Sequence, residues 1–218
     1  MSKKIKETGY KFFKPILGPI FKMYYKPTII NAEAIPKEGP ILIVGNHKHL
    51  FDQCLAIIAT KRVIHYMAKK EYWDSPKTRW FFNMVGCIPV NRQIHDSNAK
   101  EAAIEVLKNG GAIGLFPEGT RNKTKEFLLP FKFGAVSMAQ KTGATIIPCS
   151  LTGDYCFRSK NLMFRVGKPF KVEKDEDLAK ANKKLYKEIE SLMKKSLKET
   201  NRTIEEELNS RCQDTKKK

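Results

Sequence analysis

The sequence holds no run approaching the roughly 18 uninterrupted apolar residues that a helix needs to cross a bilayer, so no membrane-spanning segment is expected. Its opening decapeptide, MSKKIKETGY, has charges but no apolar core behind them and does not read as a secretory signal. There are five cysteines, Cys54, Cys87, Cys149, Cys156 and Cys212; the count is odd and no C-x-x-C pair occurs. They read as reduced thiols in a cytosolic compartment rather than as a disulfide framework. Acidic residues are scarce, 23 Asp plus Glu against 41 Lys plus Arg. There is no internal repeat, and no low-complexity segment beyond the lysines.

The 218 residues present suit one domain with a real core, and an apolar share of 41% with 13 Phe marks a globular chain. The net charge of +18 calls for an anionic partner: nucleic acid, membrane headgroups, a phosphorylated substrate or an acidic protein. Charge alone does not choose among these.

Residues 10–26, YKFFKPILGPIFKMYYK, interleave aromatic and aliphatic side chains with Lys11, Lys14, Lys22 and Lys26. Pro15 and Pro19 predict two short helical pieces rather than one long helix. Lysines among bulky apolar neighbours suit an element lying in the headgroup layer; the plainer reading is a helix packed on the core with its lysines in water. From residue 40 the pattern alternates. Strands are expected at 41–45, 62–68, 87–91, 112–116, 145–151 and 163–168, with helices following Asp52, Ser75, Ser97 and Gly134. Ser97 can cap the helix SNAKEAAIEVLK, which Gly110 and Gly111 stop. Leu185, Ile189, Leu192, Met193 and Leu197 recur at helical spacing in a charged C-terminal stretch. The expected organisation is a basic helical motif over 1–30, an α/β core over 31–172, an amphipathic helix of the same domain over 173–210, and a frayed tail over 211–218.

Between the apolar run ILIVG and the helical run QCLAIIA stands NHKHLFD, residues 46–52. His47 and Asp52 are five apart, about 500° around a single helix, so they would face different sides within one. With Asp52 opening the helix and His47 in the preceding loop, the chain can bring them together, as a general base and the carboxylate that orients it. A metal site using His47 and His49 lacks further His or Cys at ligand spacing, and a polar loop without chemistry stays open on these residues alone. Other polar groups also follow apolar runs. Arg92 closes GCIPVNR, Glu118, Gly119 and Arg121 lie in FPEGTR, and Lys69 and Lys70 lie in MAKKE. Together they describe a base, an orienting acid and a basic cradle for an anion.

In order, NHKHLFD, GCIPVNR, FPEGTR with LPFKFGAVSMA, and IIPCSLTG resemble the four motifs of the glycerolipid acyltransferases, specifically the 1-acylglycerol-3-phosphate acyltransferase family. The resemblance covers about residues 25–170. Asn46, His47 and Asp52 match N-H-x-x-x-x-D, and Phe116 to Arg121 match F-P-E-G-T-R at every position. His49 stands where the family usually has a small hydroxyl residue, and Cys149 where it often has Val. The resemblance implies an α/β fold with a mixed sheet flanked by helices and an N-terminal membrane-surface helical motif. It implies acyl transfer from a thioester, acyl-CoA or acyl carrier protein, to the sn-2 hydroxyl of lysophosphatidate, with no other cofactor and no metal. His47 is then the base and Asp52 its orienting acid. Arg121, Glu118, Gly119 and Thr120 hold the phosphate, with Arg92 and Lys69 adding charge, and the cysteines are bystanders. Residues 10–26 meet an anionic membrane on its cytoplasmic face. An acyltransferase with another acceptor, glycerol 3-phosphate or another lysophospholipid, shares these features. A nucleic-acid-binding module would explain the charge, but no such motif occurs and FPEGTR would have no role in it; no nucleic-acid partner is expected.

Overall fold

The segment Ile41–Gly45 has only aliphatic side chains and glycine, and so can be satisfied only between two neighbouring strands. In the computed structural model, which describes residues 5, 7–91, 93–94 and 96–213, it is β2, buried at every position. Its partners are β5 (Ala112–Leu115) and β6 (Thr145–Thr152), both parallel to it. With β1 (Thr28–Ile30), β3 (Ile64–Lys69), β4 (Ile88–Val90) and β7 (Met163–Val166) they form a seven-stranded sheet in the order β1-β7-β6-β2-β5-β3-β4. Only the β6–β7 pair is antiparallel, so the sheet is mixed. The strands β2 to β6 run the same way and bring their carboxyl ends to one edge, where loops can converge on a ligand.

Alternation along β2 divides the core. Leu42 and Val44 pack with α4 (Ser97–Lys108), α5 (Gly134–Thr142) and α6 (Leu178–Glu199). Ile41 and Ile43 face the other way, toward α2 (Asp52–Ala59) and the inner side of α1 (Thr8–Tyr25). The mixed sheet flanked by helices matches the expected fold class. Among the described residues, no helix is long and apolar enough to cross a membrane.

Several details differ from the sequence expectation. α1 is one helix of 18 residues that runs through both prolines. Pro15 and Pro19 are exposed and four apart, so the carbonyls they leave without an intrahelical donor lie on one open side, where water can serve them. β1, at the end of the basic stretch 1–30, pairs with β7 as the edge of the sheet. Asp96, not Ser97, caps α4, its side chain accepting the Ala99 N–H at 3.0 Å. The C-terminal stretch is two helices, α6 and α7 (Ile204–Gln213), separated by a turn in which Asn201 has φ +50°. The five apolar positions expected to face the core from α6 are all buried. The expected frayed tail, 211–218, lies largely outside the described residues.

α1 is tied down at its start. The Tyr10 hydroxyl donates to the Arg62 carbonyl at 3.2 Å, and the Lys14 ammonium donates to the carbonyls of Thr60 and Arg62. Its inner face is therefore packed on the core. Its outer face carries Phe12, Ile16, Leu17, Ile20, Met23 and Tyr24, with Phe12 62% and Met23 70% exposed.

Candidate active site

Asn46 ends β2 and fixes where the next loop begins. Its amide donates to the Leu151 carbonyl and accepts the Leu151 N–H, both at 2.8 Å, so it copies the ladder of a strand one residue beyond the strand's end. The chain then turns, and Asp52 opens α2 as expected. Nδ1 of His47 donates to Oδ2 of Asp52 at 2.8 Å. The same oxygen accepts the backbone N–H of Lys48 at 2.7 Å and of His49 at 2.8 Å. Oδ1 accepts the hydroxyl of Tyr155 at 2.7 Å. Asp52 is fully buried, and its charge is met by donors on both oxygens. Burial and the adjacent Asp52 hold the Tyr155 phenol well above its ordinary pKa, so it stays a donor.

The imidazole is held from a second direction. Its ring stacks on Phe116 at 4.1 Å with 9° between planes, and Phe116 in turn lies against Tyr66. That layer depends on Gly114, since a Cβ there would sit 2.3 Å from the Tyr66 ring. With Nδ1 committed to Asp52, Nε2 is the nitrogen left for chemistry.

FPEGTR follows β5 and crosses directly beside this loop. Glu118 is buried; Oε1 accepts the His47 N–H at 2.7 Å and Oε2 accepts the Leu129 N–H at 3.0 Å. The carboxylate thus ties the backbone of His47 to the loop before α5. Gly119 has φ +72°, and a Cβ on it would meet the Lys132 side chain, with Nζ at 3.0 Å. The Asn122 N–H donates to the His47 carbonyl at 2.6 Å, which places Arg121 one residue from a direct tie to the His47 loop. Thr120, Arg121 and Lys132 are exposed at this edge, and Lys69 is exposed at the carboxyl end of β3. Arg92 lies outside the described residues.

Tyr155 escaped the sequence reading. Nothing in the spacing of Tyr155 signals it, because it meets Asp52 across 103 residues. Burial pushes the Cys54 thiol up to about 11 and the Cys87 thiol up to about 12, and raises Cys149 as well. Among the described residues no group of three or more His, Cys, Asp or Glu side chains gathers to hold a metal ion.

Comparison with known proteins agrees with the motifs. An acyltransferase family model matches residues 26–152, more than half of the chain. A protein of Borreliella burgdorferi named 1-acyl-sn-glycerol-3-phosphate acyltransferase is 35% identical over 144 residues, 65% of this chain and 57% of that protein. A Bacillus subtilis protein of the same name is 28% identical over 165 residues, 73% of this chain and 81% of the relative. The chain thus matches little more than half the length of the first and most of the second. The crystal structure of the 1-acyl-sn-glycerophosphate (LPA) acyltransferase PlsC from Thermotoga maritima shares the fold, with TM-score 0.67 at 24% identity over 89% of this chain and 84% of that one. By its sequence from Lys26 to Thr152, carrying these motifs on this sheet, the chain belongs to the acyltransferase family.

Proposed function

We propose that the protein transfers a fatty acyl group from a thioester to the sn-2 hydroxyl of 1-acylglycerol 3-phosphate, forming phosphatidate. The observation that carries this reading is the His47–Asp52 couple at the carboxyl end of the central strand, inside the family's own motif. An alcohol is a poor nucleophile unless its proton leaves as it attacks. Nε2 of His47 accepts that proton while the hydroxyl oxygen bonds to the thioester carbon. The buried Asp52 carboxylate stabilises the imidazolium that results. The C–S bond then breaks, the thiolate leaves, and the proton passes from His47 to it. No covalent acyl-enzyme is required, because the thioester arrives activated. The donor is acyl-CoA or an acyl carrier protein, and no other cofactor is invoked.

Arg121 is the main phosphate ligand in this reading. Its planar fork suits two phosphate oxygens, and Lys69, Arg92, Thr120 and the backbone at Gly119 complete the cradle. Lys132, folded over Gly119, adds a charge at the same place. Glu118 serves the cradle indirectly, by holding the loop. The acceptor resides in a lipid layer, and the apolar outer face of α1 is the surface that reaches it on the cytoplasmic side. Transfer of radiolabelled acyl chains to a panel of acceptors (lysophosphatidate, glycerol 3-phosphate and other lysophospholipids), with both donor types, tests the reading. Turnover restricted to a different acceptor would replace the substrate, and no turnover with any would remove the activity.

A further inference from the structure

Lys48 stands between the two histidines of the catalytic loop, where a lysine would be expected to face the anionic substrate. It does the opposite. Its side chain is 4% exposed, and the ammonium donates to the Gly153 carbonyl at 2.6 Å and to Oε1 of Glu207 at 2.5 Å. Glu207 lies in the first turn of α7 and is fully buried. Its Oε2 accepts the Gly153 N–H at 2.9 Å, and Nη1 of Arg202 stands 3.3 Å away. One carboxylate thus grips the catalytic loop and the turn after β6 together. Both ends of that grip lead to Asp52: the Lys48 N–H is on Oδ2, and Tyr155, two residues beyond Gly153, is on Oδ1. Glu207 lies outside the stretch matched by the family model, which ends at Thr152.

We infer that Glu207 is a positioning residue for the His47–Asp52 couple, acting through Lys48 and the Gly153–Tyr155 turn. A buried ammonium without its carboxylate must draw in water or move toward solvent. Either response shifts the backbone N–H of Lys48 away from Asp52. α7 is then a brace for the base rather than a terminal appendage.

The activity arm of the test rests on the acyl-transfer reading; the exchange arm does not. In the purified full chain, Glu207→Gln should lower kcat about tenfold while leaving KM for donor and acceptor within about twofold, the size expected of a coupled neighbour. In an Asp52→Asn background the same change should cost less than about twofold, because the group it positions is already impaired. Since Glu207→Gln leaves Lys48 unpaired, Lys48→Met/Glu207→Leu removes both charges of that pair, while Arg202 keeps Asp154 at 3.2 Å; the double variant should stay folded by circular dichroism and still lose kcat. Without substrate, the amides of Lys48 and His49 should exchange with deuterium at least about tenfold faster in Glu207→Gln, while β2 exchanges unchanged. Full kcat in the folded double variant, additive losses with Asp52→Asn, or unchanged exchange at Lys48 and His49 would each overturn the brace. A wild-type chain that acylates nothing, yet shows the exchange effect, would sink the proposed function and leave the brace standing.

Discussion

Asp52 is fully buried and takes four hydrogen bonds, from the His47 ring, two backbone N–H groups and the Tyr155 hydroxyl. At the same edge of the sheet, Thr120, Arg121, Lys69 and Lys132 are all exposed. The first group is finished before any substrate arrives; the second is left open. The difference suits the role proposed for each. A base needs one tautomer and one orientation, and fixed dipoles around its carboxylate supply them without reorganisation. A phosphate brings its own charge and completes the hydrogen bonds of flexible cations when it binds. Losses in the buried group should therefore appear in turnover, and losses in the open group in acceptor affinity.

The largest break of that contrast is His47→Ala. It removes the proposed base and should lower kcat on the order of 100-fold or more. Circular dichroism should show an intact fold, since the ring is replaced at the sheet edge rather than in either core. Near-normal turnover would end the mechanism, and a larger loss from His49→Ala would transfer the role to the other histidine. Asp52→Asn comes next. The proton acceptor is retained, so the fall in kcat should be smaller than for His47→Ala. The fold should suffer more. An amide has only one oxygen for the three N–H donors and the hydroxyl that now meet two, and its own N–H₂ would face donors. A melting temperature unchanged by Asp52→Asn would show that this hydrogen-bonded cluster is less important to the loop than its burial suggests.

How much of this was legible depended on distance along the chain. His47 and Asp52 are five residues apart with a strand before and a helix after, so local geometry alone could bring them together. The β2 strand and the buried stripe of α6 were readable for the same reason, because each is a local period. Glu118 was assigned to the phosphate because it stands in a basic motif. The N–H groups of His47 and Leu129 that it accepts are backbone atoms, which leave no mark on the sequence. Tyr155 and Glu207 reach the loop across 103 and 159 residues, in segments with no periodicity to announce them. The prolines of α1 misled in the other direction: local propensity predicted a break, and docking of the inner face overrode it.

Arg121→Lys sharpens the open side of the comparison. Charge is preserved and the two-point fork is lost, so acceptor KM should rise about tenfold, the worth of one charge-assisted hydrogen bond, with donor KM and kcat little changed. If kcat falls and acceptor KM does not, Arg121 belongs with the preorganised group and the division between the two sets fails.

The mildest effect on the chemistry should come from α1, which has a finished face and an open face of its own. Tyr10 and Lys14 tie it to the Thr60–Arg62 segment, whereas Ile16, Leu17 and Ile20 are each about half exposed. Replacing these three with Ser should leave the melting temperature nearly unchanged, because exposed side chains away from the core alter stability by only about 0.5 kcal/mol each. Vesicle binding is another matter. Each methylene moved out of the acyl boundary forfeits about 0.8 kcal/mol, so even partial insertion of three aliphatic side chains makes their loss cost at least about tenfold in partitioning. Raising salt should weaken the lysine contribution of wild type and triple variant alike, but should not restore what the aliphatics supplied. Activity on a short-chain, water-soluble acceptor should be untouched while activity on vesicle-embedded acceptor falls in step with binding. Early melting of the triple variant would mean that the outer face is structural after all. Full vesicle binding would move the membrane contact away from α1, to another part of this strongly basic surface.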